Sequence, residues 1–236
     1  MLSDHSATTG DHPSSGLALD GAASDQAYRR VRAAFEEHSV LLFRDQKVSD
    51  DIQAAFSRAF GPLELVKVGS EGSGTFYSRL HNLAADGTAV DETHRYALTA
   101  RANQLWHTDR SFKRNPALAS VLSARIVASD GGETEVVSTR QAWNRLSSAM
   151  RARLRDAIVT HSYAYSRDQI DTELIAQATR PEFIYRHHWR VGDVLMWDNR
   201  ATMHRGRPWP SQQTRSMVRT TISALETDGV AELRPA

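Results

Sequence analysis

His107 and Asp109, in the stretch Asn103-Gln104-Leu105-Trp106-His107-Thr108-Asp109, form a His-x-Asp pair. In an extended segment residues i and i+2 share a face, so an imidazole and a carboxylate at this spacing can grip one ion together. A second histidine, His204, lies far downstream in Trp197-Asp198-Asn199-Arg200-Ala201-Thr202-Met203-His204. Two imidazoles and one carboxylate are the ligand set of a facial triad. Such a triad holds Fe(II) on one face and leaves its other positions open for a co-substrate and O₂. The chemistry this set supports is oxygen activation at iron.

Two arginines, Arg215 and Arg219, follow His204. Four residues apart on a strand, they project to the same face, about 13 Å apart at roughly 3.3 Å per residue. An inward-facing guanidinium needs an anionic partner, because an unpaired buried charge is costly. Two small acids would meet that need. Each residue also has a plainer reading. His204 could be a core histidine bonded to a carbonyl, the arginines could pair with protein carboxylates, Thr134 could be an ordinary strand residue and Asn103 a turn residue. His161, His187 and His188 read as structural or surface groups, and Trp106 and Trp197 as packing around the metal.

The 236 residues, 40% of them apolar, suit one domain with a substantial core. The net charge is +1 and the basic residues are scattered, so neither nucleic acid nor an anionic membrane is indicated as a partner. There is no cysteine, which excludes disulfides, zinc–thiolate sites and thiol catalysis. Residues 1–24 are polar, lack the apolar core of a signal peptide, and read as a flexible leader ahead of a single domain over 25–236. No run approaches the roughly 18 apolar residues of a membrane span. A soluble, cytoplasmic protein is expected.

The elements that must position these residues are legible in part. Tyr28, Val31, Ala34 and Phe35 recur at helical spacing, predicting a helix to about His38. Ser39 to Phe43 reads as a buried strand. Ser49 can cap a helix whose Ile52, Ala55, Phe56, Ala59 and Phe60 form one stripe, ended by Gly61-Pro62. Glu71 to Gly74 and Asp86 to Thr88 are turn-like. Ala119 to Ala128 and Thr134 to Val137 read as strands flanking the turn Asp130-Gly131-Gly132. One helix is predicted from about Arg140 to Ala157. Strands follow at Val194 to Trp197 and at Ser216 to Leu225. Short strands spaced by turns, with helices mostly ahead of them, predict a mainly β fold with helices and a double-stranded β-helix (jelly-roll, cupin-like) core.

With these residues in hand, the chain resembles the taurine/2,4-dichlorophenoxyacetate group of Fe(II)/2-oxoglutarate dioxygenases over about residues 30–223. The resemblance rests on Leu42-Phe43-Arg44-Asp45-Gln46, Phe60-Gly61-Pro62-Leu63-Glu64, Trp106-His107-Thr108-Asp109 and Gly131-Gly132-Glu133-Thr134. Downstream it rests on Gly192-Asp193, Trp197-Asp198-Asn199-Arg200, Met203-His204-Arg205 and the arginine pair. Asn103 to Trp106 and Tyr185 to Arg190 lean toward the phenoxyacetate branch. Position by position, the resemblance implies that His107, Asp109 and His204 are iron ligands. It gives Arg215 and Thr134 the distal carboxylate of 2-oxoglutarate, Arg219 a place near the substrate anion and the iron-bound end of 2-oxoglutarate, and Asn103 a place between co-substrate and substrate. Lys67 falls where the phenoxyacetate branch has a similar lysine. From about Tyr165 to Asp171 the chain passes quickly toward Phe183, where relatives carry a longer segment over the active site; either the lid is shortened or part of the natural chain is absent.

The implied activity is a dioxygenase using Fe(II), 2-oxoglutarate and O₂ to hydroxylate a small anionic substrate, an aryloxyalkanoate-like carboxylate whose ether falls apart after hydroxylation. A taurine-like alkylsulfonate is the alternative substrate. Two readings of other classes use the same residues: a metal-dependent hydrolase, which would turn over without O₂, and a non-catalytic jelly roll that binds a small acid. A halogenase is disfavoured, because Asp109 fills the position such enzymes leave open for halide. The expected partners are the small anionic substrate and further copies of the chain in a homo-oligomer.

Overall fold

The structure is a computed structural model and describes Leu19 and residues 25–66, 72–157 and 172–229. Its strands form two antiparallel sheets. In the larger, β1 (Val40–Phe43), β6 (Val194–Asp198), β3 (Ala117–Ile126), β8 (Ser216–Ser223) and β2 (Ser78–His81) lie side by side in that order. In the smaller, β4 (Thr134–Ser138) lies between β5 (Tyr185–His187) and β7 (Thr202–Gly206). This is the jelly-roll core that the spacing of strands and turns predicts.

Burial explains why the central strands read as continuous apolar runs. Along β6, Val194 and Met196 face a core shared with the first two helices, α1 (Asp25–His38) and α2 (Asp50–Arg58). Leu195 and Trp197 face the opposite side, beside Leu122, Ala124 and Met217. Neither side meets water, so the period-2 alternation of a one-faced strand is lost. The helical core is aromatic: Tyr28, Phe35 and Phe56 all contact Phe60, and Phe56 stands edge-on to Phe43. Leu19, inside the stretch read as a leader, is buried in this core, and its N–H donates to Gln46 Oε1.

Helix α2 also holds the large sheet through polar groups. Ser49 caps it by accepting from the Ile52 N–H at 3.2 Å, and Asp50 and Asp51 occupy its first turn. Its fully buried Gln53 donates to the carbonyls of Val121 and Val218 and accepts from Ser123. Ser57 and Thr220 are 2.7 Å apart. The helix therefore locks β3 to β8, the strand that carries Arg219.

Three expectations change on the structure. The single helix over 140–157 is two, α4 (Thr139–Arg145) and α5 (Ser148–Leu154). Leu146 leaves the helical region, and Ser147 caps the second helix by accepting from the Met150 N–H. Strand β3 begins two residues before the expected start and ends two before the expected end, and β8 likewise stops at Ser223. Strands β2, β5 and β7 and the helices α3 (Arg95–Ala102) and α6 (Thr172–Ala178) were not anticipated. Among the described residues no helix is long and apolar enough to cross a membrane.

Phe35 has no exposed surface and sits where α1 meets Phe60 and the Arg200 guanidinium. Phe35→Ala should cost about 3–5 kcal/mol, the usual range for emptying an aromatic site in a core. Urea unfolding should show a lower midpoint at unchanged slope.

Candidate active site

The two sheets meet at the turn between β6 and β7. Asp198 Oδ1 accepts from the Arg200 N–H at 2.8 Å, and the Thr202 hydroxyl donates to the Asp198 carbonyl at 2.7 Å. The chain thus passes from Trp197 in the large sheet to His204 in the small one within seven residues. His107 precedes β3 and pairs with His204 as a lone antiparallel bridge. Each histidine donates its backbone N–H to the carbonyl of the other, at 3.0 and 2.8 Å. Their rings are 4.3 Å apart, and the Trp197 ring is 4.6 Å from His204.

Asp109 completes the group: one ligand atom from each of His107, Asp109 and His204 lies within 4.8 Å of the others. The His107 Nδ1 is 2.7 Å from the Leu105 carbonyl, which accepts a ring N–H and leaves the Nε2 lone pair available. The Asp109 carboxylate is oriented by two side chains. Arg219 Nη1 donates to both oxygens at 3.1 Å, and the Ser120 hydroxyl donates to Oδ2 at 2.6 Å. Asn199 in turn donates to Ser120 Oγ and accepts from the Trp197 indole.

The electrostatics suit a cation. Burial would push the Asp109 carboxyl up, but Arg219, His204, His107 and the Ser120 hydroxyl together hold it well below the usual carboxylate range. Burial, reinforced by His107 and Arg219 and opposed by Asp109, lowers the His204 imidazole to about 3. At neutral pH the group therefore presents a carboxylate and a neutral imidazole, the forms that bind metal. His204 Nδ1 is buried with no hydrogen-bond partner among the described residues.

These residues sit at one end of a cavity of about 280 Å³ lined by both sheets and by α3. Arg215 and Thr134 line it as well. The Arg215 guanidinium lies 5.0 Å from the Trp209 ring and donates to the Gly132 carbonyl at 3.0 Å. No described carboxylate comes within salt-bridge distance of it, and burial, only partly offset by Glu133, lowers it to about 10. Gly132 is required by this arrangement: its φ is +70°, and a Cβ there would stand 3.0 Å from Arg215 Nε. A buried cation without a carboxylate, opening on a cavity, fits an anionic ligand. Thr134 is 4% exposed, and its hydroxyl accepts from the Trp189 indole at 3.1 Å.

Of the predicted site residues that the structure describes, His107, His204, Thr134, Arg215, Arg219 and Asn103 line this cavity, and Asp109 lies against Arg219 and the two histidines. Asn103 ends α3 and lines the cavity, with its carbonyl accepting from the Gly206 N–H. Arg219 lines it too, with its guanidinium engaged with Asp109. Lys67, His161 and the short segment before residue 172 lie outside the described residues. Trp106 is half-buried beneath the Arg205 guanidinium, and Trp197 is buried beside His204. His187 is buried beside Asp193, and His188 is exposed, as expected of groups outside the metal set. Sequence reasoning missed Ser120, Asn199, Trp189 and Trp209, and the wall formed by Leu80, His81 and Tyr96. Asn199 and Trp189 carried a signal, through their places in the Trp197–Arg200 and Tyr185–Arg190 motifs.

The family model for taurine catabolism dioxygenase TauD, TfdA family, matches residues 7–173 and 172–221. The chain belongs to the TauD/TfdA family. One relative, the alpha-ketoglutarate-dependent 2,4-dichlorophenoxyacetate dioxygenase of Burkholderia sp. (strain RASC), is 32% identical over 87% of this chain and 88% of its own. The (S)-phenoxypropionate/alpha-ketoglutarate-dioxygenase of Sphingobium herbicidovorans is 25% identical over 84% of this chain and 87% of its own. Among solved structures, AAD-2 in complex with Mn(II) and N-oxalylglycine superposes with a TM-score of 0.79 at 31% identity, over 89% of this chain and 93% of that one.

The buried imidazoles make the metal-free protein acid-sensitive. His204 and His187 both have folded pKa values below their ordinary 6.5, so the unfolded chain takes up protons that the folded one refuses. Stability is full above pH 6.5 and falls as the pH drops, for His204 down toward 3, by up to about 1.4 kcal/mol per pH unit for each such group. The urea midpoint should be lower at pH 5 than at pH 7.5, and a divalent metal at pH 7.5 should raise it.

Proposed function

We propose that this TauD/TfdA-family enzyme is an Fe(II)- and 2-oxoglutarate-dependent dioxygenase acting on a small carboxylate of the aryloxyalkanoate class. His107, Asp109 and His204 are its iron ligands, Arg215 and Thr134 hold the distal carboxylate of 2-oxoglutarate, and Arg219 and Asn103 face the substrate. One observation carries the reading: the His–Asp–His group and a buried arginine with no described carboxylate partner open on the same cavity. A metal-dependent hydrolase leaves that arginine without a purpose, and a binding module leaves the metal set without one. The relatives named for phenoxyacetate and phenoxypropionate favour a carboxylate over taurine. A single jelly-roll domain over 25–236, a cytoplasmic location and a homo-oligomeric assembly belong to the same reading.

When bound, Fe(II) with 2-oxoglutarate and O₂ supplies the oxidising power to place a hydroxyl on a substrate carbon, with succinate and CO₂ as co-products. The protein's work is placement. Ser120 and Arg219 fix the Asp109 carboxylate, and the reciprocal backbone bonds fix the two histidines. Arg215, clamped between Trp209 and the Gly132 carbonyl, sets the far end of the co-substrate, so orientation precedes reaction. Leu122, Trp197 and Trp209 line the cavity and limit its water. A carbon hydroxylated next to an ether oxygen is a hemiacetal, which releases the phenol and leaves a 2-oxo acid.

Anaerobic addition of 2-oxoglutarate to the Fe(II)-loaded enzyme should produce a metal-to-ligand absorption band. His107→Ala should lose both iron and the band. Arg215→Ala should keep iron while demanding far more 2-oxoglutarate, about tenfold for every 1.4 kcal/mol lost. An unchanged 2-oxoglutarate requirement in Arg215→Ala would falsify the co-substrate assignment.

Arg219→Gln addresses the substrate. Removing one partner of a close charge pair commonly costs about 2–5 kcal/mol. Acid substrates should lose efficiency strongly and their neutral amides little. Because Arg219 also holds Asp109, iron affinity must be followed in the same variant. Equal losses for acids and amides would place Arg219 with the metal ligand alone.

A further inference from the structure

The Thr134 hydroxyl has one proton to give and two lone pairs to receive with. Trp189 Nε1 donates to Thr134 Oγ1 at 3.1 Å, and an indole N–H can only donate. One lone pair is therefore taken from behind, and the threonine proton is left for another acceptor. Among the described residues none accepts it, and Thr134 lines the cavity that Arg215 also lines.

The donor is itself held. Trp189 stands edge-on to His187, with ring centroids 4.4 Å apart and planes at 86°. His187 is 1% exposed, is the cross-strand partner of Thr134, and places Nε2 3.1 Å from Asp193 Oδ2. Asp193 is anchored in turn by Arg44 Nη1 at 2.7 Å and by the Arg190 N–H at 2.9 Å. A rigid column thus runs from Arg44 and Asp193 through His187 and Trp189 to one hydroxyl rotor.

We propose that Trp189 is a positioning residue for the co-substrate: its N–H fixes the Thr134 hydroxyl so that the threonine proton points at the anion seated against Arg215. This rests on the assignment of Arg215 and Thr134 to the distal carboxylate of 2-oxoglutarate. A hydroxyl held in place has already lost its rotational freedom and donates to a carboxylate at lower entropic cost than a free rotor. The contribution belongs to ligands that carry a distal carboxylate and is absent for those that do not.

The test is calorimetric titration of the Mn(II)-loaded enzyme with 2-oxoglutarate and, separately, with oxalate, which chelates a metal but has no distal carboxylate. Trp189→Phe keeps most of the ring and removes the N–H. It should weaken 2-oxoglutarate about fivefold, equal to ~1 kcal/mol, and leave oxalate unchanged. Thr134→Val should weaken 2-oxoglutarate at least as much, and adding Trp189→Phe to it should cost nothing more. In turnover, the same variant should raise KM for 2-oxoglutarate with little change in kcat. Unchanged 2-oxoglutarate binding in Trp189→Phe, equal losses for both ligands, or additive losses in the double variant would each overturn the proposal while leaving the Thr134 assignment intact. Unchanged binding in Thr134→Val would overturn that assignment and the proposal together. Should Trp189→Phe not fold, Trp189→Leu, which also lacks a donor, takes its place in the same comparison.

Discussion

The two backbone hydrogen bonds exchanged by His107 and His204 are the constraint on which the rest of the site depends. A reciprocal pair of this kind is one rung of an antiparallel ladder, and it holds two chain positions far apart in sequence within a few ångströms. One of these positions lies on the small sheet and the other on the segment that enters β3 of the large sheet. The rung therefore ties the sheets together at the mouth of the cavity. It also brings two imidazoles to 4.3 Å without asking either ring to search for the other. Asp109 then needs only the i, i+2 spacing to join them. The candidate metal-binding group is thus a consequence of strand pairing.

Strand pairing places the ligands, but buried charge decides which way they point. Asp109 is nearly free of solvent, and an isolated carboxylate there would be strongly disfavoured. Arg219 and Ser120 satisfy it, and their own positions come from β8 and β3, which α2 locks together through Gln53. The same logic recurs outside the cavity. Glu135 is fully buried and takes Arg186 and Arg205, so β4, β5 and β7 are cross-braced beside Thr134 and His204. Arg205 also covers the Trp106 ring, adjacent to His107. Removing one partner from such a pair leaves the other charge stranded, so these contacts specify geometry more than they add stability.

The residues legible in the sequence were those whose type alone limits their chemistry. A His-x-Asp pair, a distant histidine and two arginines at strand spacing leave few alternatives, and the structure gathers them as that spacing requires. The buried strands β1, β3 and β6 were legible because they are largely apolar on both faces, and β8 through its β-branched residues and buried Met217, Val218 and Ile222. The missed strands fail that criterion for identifiable reasons. Strand β7 reads Thr-Met-His-Arg-Gly and β2 reads Ser-Arg-Leu-His, because their polar side chains serve the cavity or the Glu135 brace. Strand β5 is only three residues long, and α3 buries no residue and is capped by His94, an unusual choice. Ser120 and Trp209 were invisible, and Trp189 was visible only as part of the Tyr185–Arg190 motif, because a serine or tryptophan in a strand or loop is ordinarily a packing residue. Only their partners in space give them a role.

Charge balance links the site to the class of substrate it accepts. Arg215 and Arg219 bring two positive charges to the cavity and Asp109 one negative charge, which leaves one positive charge in a region of low polarity. On the assignment proposed above, Fe(II) and the 2-oxoglutarate dianion cancel each other and leave that excess untouched. A neutral substrate would leave that positive excess uncompensated, whereas an anion would offset it. Desolvation makes this distinction sharper as water is excluded, because the penalty for an unpaired charge grows as the local polarity falls. Arg79, Arg205 and Arg207, also in the cavity wall, add to the excess rather than cancel it, since Arg79 shares Asp50 with Arg125, and Arg205 and Arg207 share Glu135 with Arg186. On that assignment a preference for an acid would follow from the excess of positive charge around the triad, independently of which carbon skeleton carries the acid.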